Sequence, residues 1–139
     1  MFGADNRIIS KKNIFHLVLI CDHNGITDAF KVIKDHLGSS CGIILSLIYT
    51  IPNNYPNPLF QRELSIMEKR FPWYLYTHIL EMKPGDFEYL QEFIEAIINS
   101  NTLSKMQFSV FGNEVFVKYV CEFLQYLNVD KCSIELNMA

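Results

Sequence analysis

Cys21 and His23 stand two residues apart where the apolar run from Ile14 to Ile20 gives way to the polar stretch CDHNGITDAF. A thiol and an imidazole at that spacing are the residue types of a nucleophile with its base, or of two metal ligands. Zinc needs three or four convergent ligands, and no second pair is apparent. Gly25 offers different chemistry. It permits a tight turn or a close backbone approach, and the free amides of a helix starting behind it would face any anion there. A plain strand-to-helix turn uses the same residues, so the motif alone is weak. His78 sits inside a strand-like run and reads as a buried or edge histidine with a partner, while His16 and His36 read as surface or boundary residues. Glu63, Glu68 and Asp86 make no paired-carboxylate pattern and no Ser-His-Asp arrangement stands out, which leaves a hydrolase unsupported.

Any such site depends on the elements that carry it. The runs Ile14 to Ile20, Gly42 to Tyr49, Trp73 to Leu80 and Met106 to Phe111 are short and rich in branched or aromatic residues, as buried strands are; Cys132 to Met138 is a weaker fifth. Between them lie helical stripes. Phe30, Ile33 and Leu37 follow Thr27 as N-cap and end at Gly38; Phe60, Leu64, Met67 and Phe71 end at Pro72. Phe87, Leu90, Ile94 and Ile97 follow Asp86 as cap, and Phe116, Val120, Phe123 and Leu127 follow Asn113. Each stripe reads as core, and Lys31 and Lys34 belong to a solvated helix face.

Strict alternation of strand and helix predicts an α/β fold in three layers: a five-stranded parallel sheet, order 3-2-1-4-5, with helices on both faces. Ligands of such sheets sit outside the carboxyl ends of the strands, near the reversal of strand order. The segments to watch are therefore Cys21 to Thr27, Tyr49 to Pro58, Leu80 to Gly85 and Phe111 to Glu114. In the second of these, Pro52, Pro56 and Pro58 argue against helix and ladder alike, and Tyr55 either stacks on a ligand ring or anchors its own loop.

At 139 residues and 50% hydrophobic, the chain is expected to form a single domain over 1–139, with 1–13 as a leading segment. A formal charge of -3 with interspersed signs gives no basic stripe for nucleic acid and no polybasic membrane patch. Cys21, Cys41, Cys121 and Cys132 are widely spaced without a C-x-x-C, as reduced cysteines are. No signal peptide and no run of about 20 apolar residues is visible, so the expectation is a soluble, cytoplasmic protein without membrane insertion.

The stretch LVLICDHNGITDAFKVIKDHL resembles the opening of the nicotinamide-nucleotide domain of ferredoxin reductase-like flavoproteins, where a strand leads into Gly-Gly-x-Gly-Ile-Thr-Pro and a helix. IILSLIYTIPNNYPNPLFQRELSIMEKRFPWYLYTHIL is similar to that family's second strand, tyrosine-containing turn, Phe-x-x-Glu-Leu helix and third strand. FSVFGNEVFVKYVCEFLQYLNVDKCSIEL resembles the segment around its Cys-Gly-Pro, the next helix and the last strand. The likeness runs from Phe15 onward. It implies a module that positions NADH or NADPH for hydride transfer to a flavin, with Gly25, Ile26 and Thr27 receiving the pyrophosphate. Gly112, between Phe111 and Asn113, would border the nicotinamide, close to Cys21 on the neighbouring strand. FAD or FMN would sit on a missing flavin-binding domain or partner subunit, since 1–13 is too short for the family's barrel and only Phe2 and Gly3 match its joining segment. The turn after Tyr49 lacks the arginine family members use for a 2'-phosphate, which favours NADH.

Departures from the pattern support a second expectation. Asp22 and His23 replace the two leading glycines, Asp28 replaces the proline of the motif, and Phe111 and Asn113 replace the cysteine and proline around Gly112. Side chains now stand where a missing Cβ lets pyrophosphate approach. A carboxylate ~4 Å from a phosphate costs on the order of 4 kcal/mol at an effective dielectric near 20, part of which a protonated His23 would offset. The alternative is a non-catalytic interaction or regulatory domain that keeps the fold and has lost the nucleotide site.

Overall fold

Strands form where branched and aromatic residues run without interruption, because a parallel sheet covered on both faces buries the side chains of its central strands. β1 (His16–Cys21) is buried at every position, and β2 (Ile44–Pro52) at all but its ends. β3 (Leu75–Met82), β4 (Met106–Gly112) and β5 (Ile134–Met138) complete the sheet. The computed structural model describes residues 15–39 and 42–139; Ile14, Cys41 and the leading segment with Phe2 and Gly3 lie outside the described residues. The sheet is five-stranded and parallel in the expected order, β3-β2-β1-β4-β5, so strand order reverses between β1 and β4.

Alternation along the strands sorts the core into two layers. Leu17, Leu19 and Cys21 pack with Leu45, Leu47 and Tyr49 under α1 (Ile26–Gly38) and α2 (Gln61–Arg70). Val18, Ile20, Ile48, Phe108 and Val110 pack under α3 (Glu88–Asn99) and α4 (Glu114–Tyr126). The helices thus cover both faces.

Several boundaries move from their sequence expectations. α1 has Gly25, not Thr27, at its N-cap and runs through Gly38 to Ser39, because the Asp22 side chain takes the amides ahead of the helix and starts it early. β2 includes Pro52, paired in register with Met82: a proline tolerates the last rung of a strand, where its carbonyl accepts from Tyr55. Asp86 lies one residue outside the cap of α3, yet its Oδ1 still accepts from the Glu88 amide at 3.2 Å. Asn113 caps α4 as expected, Oδ1 accepting from the Phe116 amide at 2.9 Å. Phe60 caps α2 at φ 65°, costly for a bulky residue, and stacks on Phe30 of α1 with ring centroids 4.1 Å apart.

Tyr49 is wholly buried and its hydroxyl has no hydrogen-bond partner. Burial, then the neighbouring Cys21 and Tyr55, push its pKa up to about 12; the Leu59 backbone offsets part of this from outside hydrogen-bond geometry. An orphaned buried hydroxyl costs about 1 to 3 kcal/mol of desolvation, so Tyr49→Phe is expected to leave stability unchanged or raise it by about 1 kcal/mol in urea unfolding.

His16 is also buried, against the boundary position expected, with 7% of its surface exposed and Nε2 2.7 Å from Ser46 Oγ. Burial lowers its pKa, the Asn101 side chain offsetting part; burial likewise lowers that of His78, which packs on Phe93 and is partly offset by the Glu68 charge. Both imidazoles titrate near 6.5 once unfolded, so below that pH the unfolded state binds protons that the folded state does not. Stability is therefore full above about pH 6.5 and declines as the pH falls through and below it, above the range of ordinary carboxylates. Urea midpoints taken from about pH 7 to about pH 5.5 should fall, and the slope should flatten in His78→Phe.

Candidate functional site

The turns after β1 and β4 meet at the strand-order reversal, and Gly25 is what lets them meet. A Cβ at Gly25 would lie 2.4 Å from the Phe111 carbonyl carbon and 2.7 Å from the Gly112 nitrogen. Cys21 and Phe111 are register partners, as expected, and the Asp22 amide donates to the Phe111 carbonyl at 3.2 Å. Of the residues expected at the site, Gly25, Phe111, Gly112 and Asn113 are brought together around one point, while Ile26 is buried in the core under α1 and Thr27 is exposed in its first turn.

That point holds a carboxylate. Asp22, 5% exposed, accepts from the Asn24 and Gly25 amides through Oδ1, each at 2.9 Å, and from the Asn113 amide through Oδ2 at 3.2 Å. It lies beside the starts of α1 and α4, where the positive ends of two helix dipoles favour an anion. Gly112 makes room for it, since the three nearest atoms to a Cβ there, at 2.6 to 2.8 Å, all belong to the Asp22 carboxyl group. The amide at position 113 exists because asparagine stands there, a proline having none to give. The sequence presents Asp22 as bulk and charge, and the structure makes it an amide acceptor. The local signal was an aspartate with Asn and Gly two and three residues on, the pattern of an Asx turn.

Around the carboxylate opens a cleft of about 450 Å³ at the carboxyl ends of β1 to β4. Its walls are mainly apolar, with Ile51, Met82, Phe87 and Phe116, and its polar margin includes Thr50, His23 and Lys83. Thr50 is occupied, donating to the Cys21 carbonyl at 3.3 Å. The Tyr55 ring sits 5.1 Å from that of His23 and packs on the core below α1 and α2, fixing its loop to the turn after β1.

Cys21 does not serve as a nucleophile in this arrangement. Its side chain is wholly buried, and burial, then the Asp22 charge, push its thiol well up, away from the thiolate. Among the described residues no group of three or more His, Cys, Asp or Glu is placed to hold a metal. Nor is any helix among them long and apolar enough to cross a membrane.

No family model and no curated protein matches the chain. Solved structures do. The CS-b5R domains of human Ncb5or in the NAD+ form match with a TM-score of 0.71 at 17% identity, over 93% of this chain and 38% of that one. The ferredoxin-NADP+ reductase of Plasmodium falciparum matches at 0.73 and 16% identity, over 96% and 55%. The cytochrome b5 reductase domain of Ulva prolifera nitrate reductase matches at 0.71 and 17%, over 88% and 50%. This is the fold of the nucleotide-binding domain of ferredoxin reductase-like flavoproteins. The chain thus spans about half or less of the structures it matches. At its switch point, a side chain of its own sits on the amides that face an anion.

Proposed function

We propose that this reductase-like domain acts as a non-catalytic interaction or regulatory module whose diphosphate ledge is filled by Asp22. One observation carries the reading: the amides of Asn24, Gly25 and Asn113 are already bonded to a buried carboxylate. A diphosphate would have to displace that carboxylate or approach it, and Asp28 in the first turn of α1 adds repulsion, whereas Glu114 in that of α4 is paired with Lys118 at 3.0 Å. As they stand, the residues present do not fit the diphosphate of a dinucleotide.

The likeness to reductase structures, one of them in an NAD+ form, favours a second reading. Here Asp22 turns outward and the backbone of Gly25, Ile26 and Thr27 receives the diphosphate, with the nicotinamide against Phe111, Gly112 and Asn113. NADH is favoured over NADPH because the turn after Tyr49 offers no arginine. The module would then serve an oxidoreductase whose FAD or FMN sits on another domain or subunit.

Isothermal titration separates the two. With the unaltered chain, the first reading expects no heat from NADH or NADPH up to about millimolar concentration, where a Kd of 1 mM is only about 4 kcal/mol of binding. Micromolar binding of NADH would overturn it and establish the second. Asp22→Gly should gain affinity for NADH under the first reading, because it clears the ledge.

A further inference from the structure

The opposite end of the sheet holds a second cleft, of about 410 Å³, between the first halves of β1 to β3 and the last turns of α3. Along the rest of this face the strands present Val18, Ile20, Ile48, Leu80 and Val110 to α3 and α4. Here the pattern breaks. His16 and Ser46, both buried, are paired across the strands at 2.7 Å, and His16 Nδ1 is buried without a partner in hydrogen-bond geometry, the nearby Asn101 amide, which also lines the cleft, donating instead to the Ile97 carbonyl. A polar pair left half satisfied on an otherwise apolar face costs stability that two apolar side chains would not, and such local violations mark sites of function.

The lining defines what would fit. Among the described residues no lysine, arginine, aspartate or glutamate lines this cleft, so none of them in it balances a charged ligand. One wall is flat and apolar: the Phe93 ring, tilted against His78 at 4.7 Å, continues into Ala96 and Ile97. Whichever tautomer His16 adopts, the imidazole and hydroxyl together can both donate and accept. We propose that this cleft binds an uncharged aromatic molecule bearing a hydroxyl or ring nitrogen, its ring on Phe93 and its polar group at the His16–Ser46 pair. Imidazoles kept neutral by burial agree with an uncharged ligand. The site lies at the other end of the strands from Asp22 and does not depend on the reading of the switch point.

Titration of the whole chain with p-cresol, followed on the histidine ring resonances by NMR, tests it, with toluene and benzoate as comparators. The expected result is a saturable shift of His16 and His78 together. p-Cresol should bind about fivefold more tightly than toluene, the value of one hydrogen bond, and benzoate should leave the resonances in place. Ser46→Ala should abolish the preference for p-cresol over toluene. The proposal is overturned if p-cresol gives no saturable shift, if toluene matches it, or if benzoate binds as well. Should Ser46→Ala fail to fold, the p-cresol and toluene comparison on the unaltered chain decides alone.

Discussion

Gly25→Ala is expected to destabilise the domain by on the order of 4 kcal/mol or more, enough to unfold a domain of ordinary marginal stability. The reason is space, not backbone freedom. Gly25 has φ -100° and ψ -2°, values alanine adopts readily. The added methyl would instead stand 2.4 Å from the carbonyl carbon and 2.5 Å from the carbonyl oxygen of Phe111, and both are backbone. Nothing flexible can yield, so the turn after β1 must back away from β4. The move would pull the Gly25 amide off Asp22, at 2.9 Å, and disturb the Asp22 amide bond to Phe111 at 3.2 Å. Gly38→Ala on the same helix is the control, because a Cβ there meets nothing within 4 Å. It should be neutral or stabilising by about 0.5 to 1 kcal/mol through helix propensity. Paired thermal and urea unfolding of the two variants checks both; comparable losses would show that packing at the switch point is not what requires glycine at 25.

The framework was legible because its signals are local. Val18, Leu19 and Ile20 announce a strand buried on both faces, and Leu90 and Ile94 repeat at helical spacing, so the alternation follows from local pattern; strand order does not, and 3-2-1-4-5 is the simplest arrangement of that alternation. Asn113 was legible as a cap because its acceptor and the Phe116 amide are three residues apart. What escaped the sequence lies in long-range geometry. Asp22 reaches the amide of Asn113, 91 residues on, and no local pattern says that a carboxylate will turn inward onto it. His16 looked like a boundary residue because its partner, Ser46, is 30 residues away on another strand. Pro52 joins the ladder for the same kind of reason: whether a proline interrupts a ladder depends on its rung, which the paired strand fixes. Local residues determine which elements form, while the chemistry at their ends depends on which turns the sheet brings face to face.

The second large effect should appear as an energetic coupling between Asp22 and Gly112. Asp22→Ala alone leaves the amides of Asn24, Gly25 and Asn113 without their acceptor. Bonds to a charged acceptor are each worth about 1.5 to 3 kcal/mol, but water entering the vacated space recovers part of the loss, so a net cost of about 3 kcal/mol is expected. Gly112→Ala alone should cost about as much, because its methyl would sit 2.6 Å from Asp22 Oδ1 and 2.7 Å from its Cγ at a backbone φ of +156°. In the double variant the clash is gone, so Gly112→Ala should cost distinctly less on the Asp22→Ala background than on the natural one. The cycle should yield a favourable coupling of about 1 to 3 kcal/mol, within the range of about 0.5 to 3 kcal/mol for residues in direct contact. Asp22→Asn belongs in the same series, since its Oδ1 can still accept from Asn24 and Gly25 while its amide nitrogen would face the Asn113 donor; an intermediate loss is expected. Additive single losses within about 0.5 kcal/mol would mean that the glycine is needed for its backbone conformation alone. The reading of the switch point as a ledge held by its own carboxylate would then lose its structural basis.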